Sequence, residues 1–278
     1  MNLGCGLFGL SFELDNDFWG TMNKLVHSGF TAVEPLYLFH DDSALMPENN
    51  IPSFLKTIMW NDEKVSELQP QLDQLGLKIS SMHVGFLFGK EIEEGCEELL
   101  VFSEKSGIKH FFTSLEFDTI EKTKNAVAML NKAAKILKGT GVSLGYHNHF
   151  QEFGIRDSSQ RTFMDIFLAE TENDVKLQLD AGWQMYGGSD VVDFIKKNES
   201  RIMSIHLKDF VKDFDKTPRD DAFAIMGEGV LPTEGILSTL PRLNLMPNGL
   251  MIDQDKASKG NMLSEDLEKG ADYLKRFC

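Results

Sequence analysis

The stretch Phe18-Trp19-Gly20-Thr21-Met22-Asn23-Lys24-Leu25-Val26-His27-Ser28-Gly29-Phe30-Thr31-Ala32-Val33-Glu34 holds the unit from which the fold is read. Phe18, Trp19, Met22, Leu25 and Val26 fall at helical spacing, Gly29 supplies the stop, and a β-rich run ending in a carboxylate follows at once. The same order recurs outward from it. Helical patterning over Asp62–Leu75 is closed by Gly76, over Glu91–Ser106 by Gly107, and over Thr123–Lys138 by Gly139 and Gly141; Ser159–Ala169, Asp190–Asn198 and Glu234–Leu240 read as further helices. Between them lie eight strand-like runs: Leu3–Phe12, Ala32–Tyr37, Lys78–Val84, Lys109–Thr113, Ser143–His147, Lys176–Asp180, Met203–Leu207 and Leu250–Asp253. Eight strands alternating with helices at a repeat of about 35 residues predict an α/β fold, a single (β/α)8 TIM barrel over residues 1–278, where a doubly wound sheet would stop nearer five or six strands.

Composition narrows the function classes. With 42% hydrophobic and 26% charged residues the chain has too much apolar content for a disordered protein. A formal net charge of −15 repels phosphate backbones, so no nucleic-acid partner is expected. Cys5, Cys96 and Cys278 are odd in number and form no CxxC pair, which fits reduced thiols. The N-terminal run lacks a basic segment and meets Glu13, Asp15 and Asp17 early; neither a signal peptide nor a membrane span is expected, and the cytoplasm is the expected location. A homo-oligomer is compatible with all of this.

In a barrel of this kind the chemistry sits at the C-terminal ends of the strands. Glu34 ends the second strand, His83 the third, His147 with His149 the fifth, Asp180 the sixth, His206 with Lys208 the seventh, and Asp253 with Asp255 the eighth. Four of the seven histidines thus fall at strand ends. Asp180, His206, Asp253 and one or both of His147 and His149 make a mixed nitrogen and oxygen set suited to one divalent metal ion, be it Mn²⁺, Zn²⁺, Co²⁺, Fe²⁺ or Mg²⁺. The bland readings are a turn cap for Asp180 and a buried, hydrogen-bonded imidazole for each histidine. Holding jointly on adjacent strands, they are the weaker account. Trp183, Tyr37 and Phe86 are placed at the mouth as aromatic surfaces, and few cations lie at strand ends. The loops Leu38–Lys56 and Phe210–Thr233 leave strand ends, and their aromatic content points to ordered lids.

The strings Tyr146-His147-Asn148-His149-Phe150-Gln151-Glu152-Phe153, Leu177-Gln178-Leu179-Asp180-Ala181-Gly182-Trp183 and Arg201-Ile202-Met203-Ser204-Ile205-His206-Leu207-Lys208-Asp209 resemble the xylose isomerase-like TIM barrel superfamily, and more narrowly its sugar phosphate isomerase/epimerase branch. The Gly227-Glu228-Gly229 turn and Asp253-Gln254-Asp255 also fit. The resemblance implies a metal held by His147, Asp180, His206 and Asp253, with His147 and Asp253 standing where epimerase-like members carry glutamates. It implies α-proton abstraction from a keto-sugar or polyol-derived ketone through an enediolate, with His147, Asp253, Lys208 and Glu152 as catalytic groups and Glu34, His83, His149, Trp183, Glu228 and Asp255 binding substrate. A dehydratase acting on a keto-inositol or keto-sugar and a non-catalytic sugar-binding barrel are the alternatives, and fold alone does not choose among them.

Overall fold

The computed structural model describes residues 2–39, 53–84, 91–115, 117–154 and 157–277. His40-Asp41-Asp42-Ser43, Phe86 and Cys278 lie outside them. The barrel strands are β1 (Leu3–Gly6), β2 (Phe30–Glu34, resuming as Leu36–Tyr37), β3 (Lys78–Ile79, resuming as Met82–Val84), β4 (His110–Thr113), β5 (Ser143–His147), β6 (Leu177–Asp180), β7 (Ile202–Leu207) and β8 (Leu250–Ile252). Each pairs in parallel with the next, and β8 pairs with β1 through Leu3↔Leu250 and Cys5↔Ile252, which closes the ring.

Two breaks distinguish this ring from eight continuous strands. Pro35 has no N–H to give the ladder, so β2 pairs with Lys78–Ile79 before it and with Met82–Val84 after it. The extra strand Met59–Trp60 pairs with Leu36–Tyr37. The expected run Leu3–Phe12 ends as strand at Gly6, because Leu7 to Leu10 form a turn that leads into the helix Ser11–Asn16. The helix stops match the reading closely: Asp62–Leu75 and Ile92–Ser106 end at Gly76 and Gly107, both left-handed, with φ of 84° and 77°. Among the described residues no helix is long and apolar enough to cross a membrane.

The lower part of the barrel is filled, which confines the chemistry to one end. Phe112, Met251 and Met246 are buried together with Met203 against them. Gly145 gives Phe112 its room, since a Cβ there would lie 2.7 Å from the Phe112 ring. Because side chains alternate along a strand, the position two residues above Gly145 shares its inward face, and that position is His147. The same step of two carries Gln178 to Asp180 and Ser204 to His206.

The loop after β7 is ordered, as its aromatic content leads one to expect. It pairs Asp209–Phe210 with Phe223–Ala224 and buries Phe210, Ala222 and Phe223 with Trp183 in a second apolar cluster.

A buried histidine and carboxylate cluster at the strand ends

His147, Asp180, His206 and Asp253 converge. Their donor atoms all lie within 4.8 Å of one another and all four side chains are buried. Asp180 combines both readings open to it in the sequence: its Oδ1 accepts the Trp183 N–H at 2.7 Å as the cap of the helix Ala181–Tyr186, and its Oδ2 faces the cluster. His206 is gripped on both sides, Nδ1 lying 3.1 Å from Asp253 Oδ2 and Nε2 3.3 Å from Glu34 Oε1. His147 Nδ1 pairs with Gln178 Oε1 at 2.8 Å, which turns its Nε2 towards Asp180 Oδ2 at 3.9 Å.

Around these four runs a second ring of contacts. The Gln178 amide donates to Glu34 Oε2 at 2.7 Å, and the Ser81 hydroxyl donates to the same oxygen. Gln178 thereby ties β2, β5 and β6 together and fixes the His147 ring. Lys208, 1% exposed, places its ammonium 2.8 Å from Asp255 Oδ1, 3.0 Å from Asp180 Oδ2 and 3.5 Å from Asp253 Oδ2, above the Trp183 ring. His83 and His149 flank His147 with ring centroids 5.2 and 5.4 Å away.

Charge and burial oppose each other throughout. Burial pulls the His206 imidazole down, but Asp253 and Glu34 outweigh it and raise its pKa to about 10. Burial pushes Glu34 and Asp253 up, and the cations beside them, His206 for Glu34 and Lys208 with His206 for Asp253, hold both below the usual carboxylate range. Asp255 stays raised, at about 6, by burial and by Asp253 despite Lys208. His147 is held well below its usual value by burial and by the other imidazoles, and His149 is lowered to about 3 by burial and Lys208.

Among the described residues, Glu34, Asp180, Asp253 and Asp255 are therefore opposed by Lys208 and a protonated His206. Deep burial of such an excess of carboxylate is costly without further positive charge. Asp180 Oδ2 and His206 Nε2 are both buried without a well-directed hydrogen bond among the described residues. The donor set fits a divalent cation, and binding one through His206 requires that imidazole to release a proton. In protein kept free of metal by chelator, the protonated His206 adds stability that is complete below its unfolded pKa near 6.5. That contribution is lost as pH climbs through about 10, so a fall in urea midpoint between these limits, absent in His206→Gln, is expected.

Gly6 shapes the same site from β1. A Cβ at that position would lie 2.0 Å from Asp253 Oδ1. Gly6→Ala is expected to push Asp253 out of line, weakening metal binding by roughly 10- to 100-fold in titration calorimetry and lowering stability by about 1–3 kcal/mol through overpacking.

The cavity above the cluster has a volume of about 870 Å³ and is lined by His83, His147, His149, Trp183, His206, Lys208, Asp253 and Asp255, with Glu34 at its floor. Three expected positions need correction. Glu228 is exposed and outside this lining, because the amides of Gly227 and Gly229 both donate to Asp209 Oδ2 at 3.0 Å and turn the intervening side chain to solvent. Glu152 is buried off the cavity, accepting from the Tyr146 hydroxyl and, at 3.2 Å, from the His149 N–H. Tyr37 is in the core, its hydroxyl donating to Asp62 Oδ1 at 3.0 Å.

A family model described as xylose isomerase-like TIM barrel matches residues 22–277. The chain belongs to this family. Among its relatives, an inosose dehydratase of Clostridium perfringens is 30% identical over 131 residues, which is 43% of each chain. Another from Mesomycoplasma hyopneumoniae is 29% identical over 178 residues, 60% of this chain and 56% of the relative. The chain thus spans about half the length of the curated relatives it matches. Among solved structures, a sugar phosphate isomerase/epimerase of Parabacteroides distasonis superposes with a TM-score of 0.72 at 22% identity, covering 99% of this chain and 93% of that one. At that identity the likeness speaks for the xylose isomerase-like fold alone.

Proposed function

We propose that this barrel is a metal-dependent enzyme that removes the proton beside the carbonyl of a keto-polyol or keto-sugar and then expels the β-hydroxyl, a dehydration. One observation carries the reading: Glu34, Asp253 and Asp255 are each tied to His206 or Lys208, so the uncommitted proton carriers on the cavity wall are neutral imidazoles. Epimerisation needs a base and an acid on opposite faces of one carbon. Elimination needs a single carrier that takes the proton from carbon and passes it to the departing hydroxyl. The similarity to inosose dehydratases supports this choice.

A divalent cation held by His147, Asp180, His206 and Asp253 would polarise the carbonyl and acidify the adjacent C–H. Lys208, locked in place by three carboxylates, stabilises the developing enediolate oxygen. His149, which lines the cavity and whose Nδ1 has no hydrogen-bond partner among the described residues, takes the proton. Burial and Lys208 keep this imidazole neutral at rest, and negative charge growing on the neighbouring oxygen raises its proton affinity at the moment of transfer. Proton return to the leaving hydroxyl releases water and leaves a carbon–carbon double bond. Trp183 offers a face for the ring.

The substrate is taken to be unphosphorylated. At the rim Lys256 is paired with Asp220 and Lys122 with Asp118, and Lys208 is buried within the cluster, where it serves the reacting oxygen. The test is product mass after incubation of metal-loaded protein with a panel of keto-inositols and keto-hexoses. Loss of one water is expected, with His149→Gln slower by on the order of 100-fold or more. A product of unchanged mass but inverted configuration would establish epimerisation in its place, and binding without turnover would mark a sugar-binding barrel.

A further inference from the structure

The cavity continues well beyond the polar cluster. Past His83 and Ser114 its wall is made by Leu36, Leu115, Ala126 and Met129, and at the top of β1 by Leu7 and Phe8. Lys122, Asn125, Ala126 and Met129 fall at i, i+3, i+4 and i+7 of the helix Ile120–Leu137, so one stripe of an outer helix forms part of the wall. A helix of the outer ring reaches a substrate cavity only where the cavity runs out past the rim of the strands. At about 870 Å³ the whole lies near the top of the roughly 300–1,000 Å³ that accommodates drug-sized ligands, well beyond one sugar ring.

The two ends differ in chemistry. Charged and imidazole groups are concentrated over β5 to β8. Among the described residues the arm along the helix Ile120–Leu137 is walled mainly by apolar side chains, with Asn125 and Lys122 at its rim, and Lys122 is paired with Asp118 at 2.7 Å. A phosphate or second polyol ring placed between Leu36, Leu115, Ala126 and Met129 would lose water to apolar neighbours.

The geometry points to a two-part substrate: a keto-sugar ring over the buried cluster, bearing an apolar substituent that lies in the arm between Leu36, Leu115 and Met129. This rests on the reading that a sugar ring sits at the polar end. The arm then acts as the specificity determinant, selecting substituted sugars over free ones and over sugar phosphates.

Equilibrium binding tests it without turnover. Metal-loaded protein is titrated with pyranosides that differ only in a methyl or a phenyl aglycone, and with the matching sugar phosphate. Burial of about 60 Å² of extra apolar surface corresponds to roughly tenfold in affinity, so the phenyl glycoside is expected to bind about tenfold tighter than the methyl one, and the phosphate no tighter than the methyl one. Met129→Lys and the rim variant Asn125→Trp should each abolish the preference while leaving methyl glycoside affinity unchanged. Equal affinities, a preference for phosphate, or a phenyl preference that survives both variants would overturn the proposal. Selective binding with no dehydration of any keto-sugar would instead count against the reaction proposed above and leave the arm standing.

Discussion

Lys208→Met is expected to destabilise metal-free protein by about 3–5 kcal/mol, the range for removing one partner from a buried ionic cluster. The ammonium is 1% exposed and lies within 3.5 Å of Asp180, Asp253 and Asp255. Methionine keeps the length and apolar stem but leaves three carboxylates facing one another with His206 alone opposing them. At least one carboxylate must then take up a proton. A divalent cation replaces the lost charge, so Zn²⁺ or Mn²⁺ should recover a large part of the loss. Urea unfolding with chelator and with excess metal checks both parts. An unchanged midpoint in chelator would mean that the cluster does not depend on Lys208 for charge balance.

Asp180→Asn separates the metal role of that residue from its structural one. Asparagine can still cap the helix Ala181–Tyr186, so the fold should persist, whereas Asp180→Ala also loses the cap at about 1 kcal/mol. Removing the charge takes one ligand from the cluster and one partner from Lys208. Metal affinity is expected to fall by at least about 100-fold, with dehydration falling in step. Metal content after gel filtration and product mass read the two effects together. Full metal retention in Asp180→Asn would remove this carboxylate from the ligand set.

Much of this site was legible in the sequence for a definite reason. A residue at the end of a barrel strand has one place to go, so Asp180, His206, Asp253 and one or both of His147 and His149 could be brought together from strand order, and the family resemblance pointed to His147. What escaped was alternation within a strand. Gln178 stands two residues before Asp180 on the same inward face, and a lone amide in that apolar strand was the available signal for the bridge between Glu34 and His147. Tyr37 stands three residues after Glu34, an odd step, which puts it on the outer face; Leu36, an even step, lines the cavity. Glu228 was implied by the resemblance of its turn, where a local carboxylate, Asp209, takes the turn's amides in a way that spacing does not reveal. The broken pairing of β2 follows from Pro35, which was visible, but the extra strand Met59–Trp60 beside it was not.

The central claim is proton removal beside a carbonyl followed by loss of water, and it is tested most directly by incubating metal-loaded protein with keto-inositols and keto-hexoses in D2O and following mass and the α-proton signal together. The account predicts a product lighter by one water, formed by the wild type and greatly slowed in His149→Gln and Asp180→Asn. Recovery of every keto-sugar with its α-proton in place and its mass unchanged, from protein shown to carry metal, would contradict it.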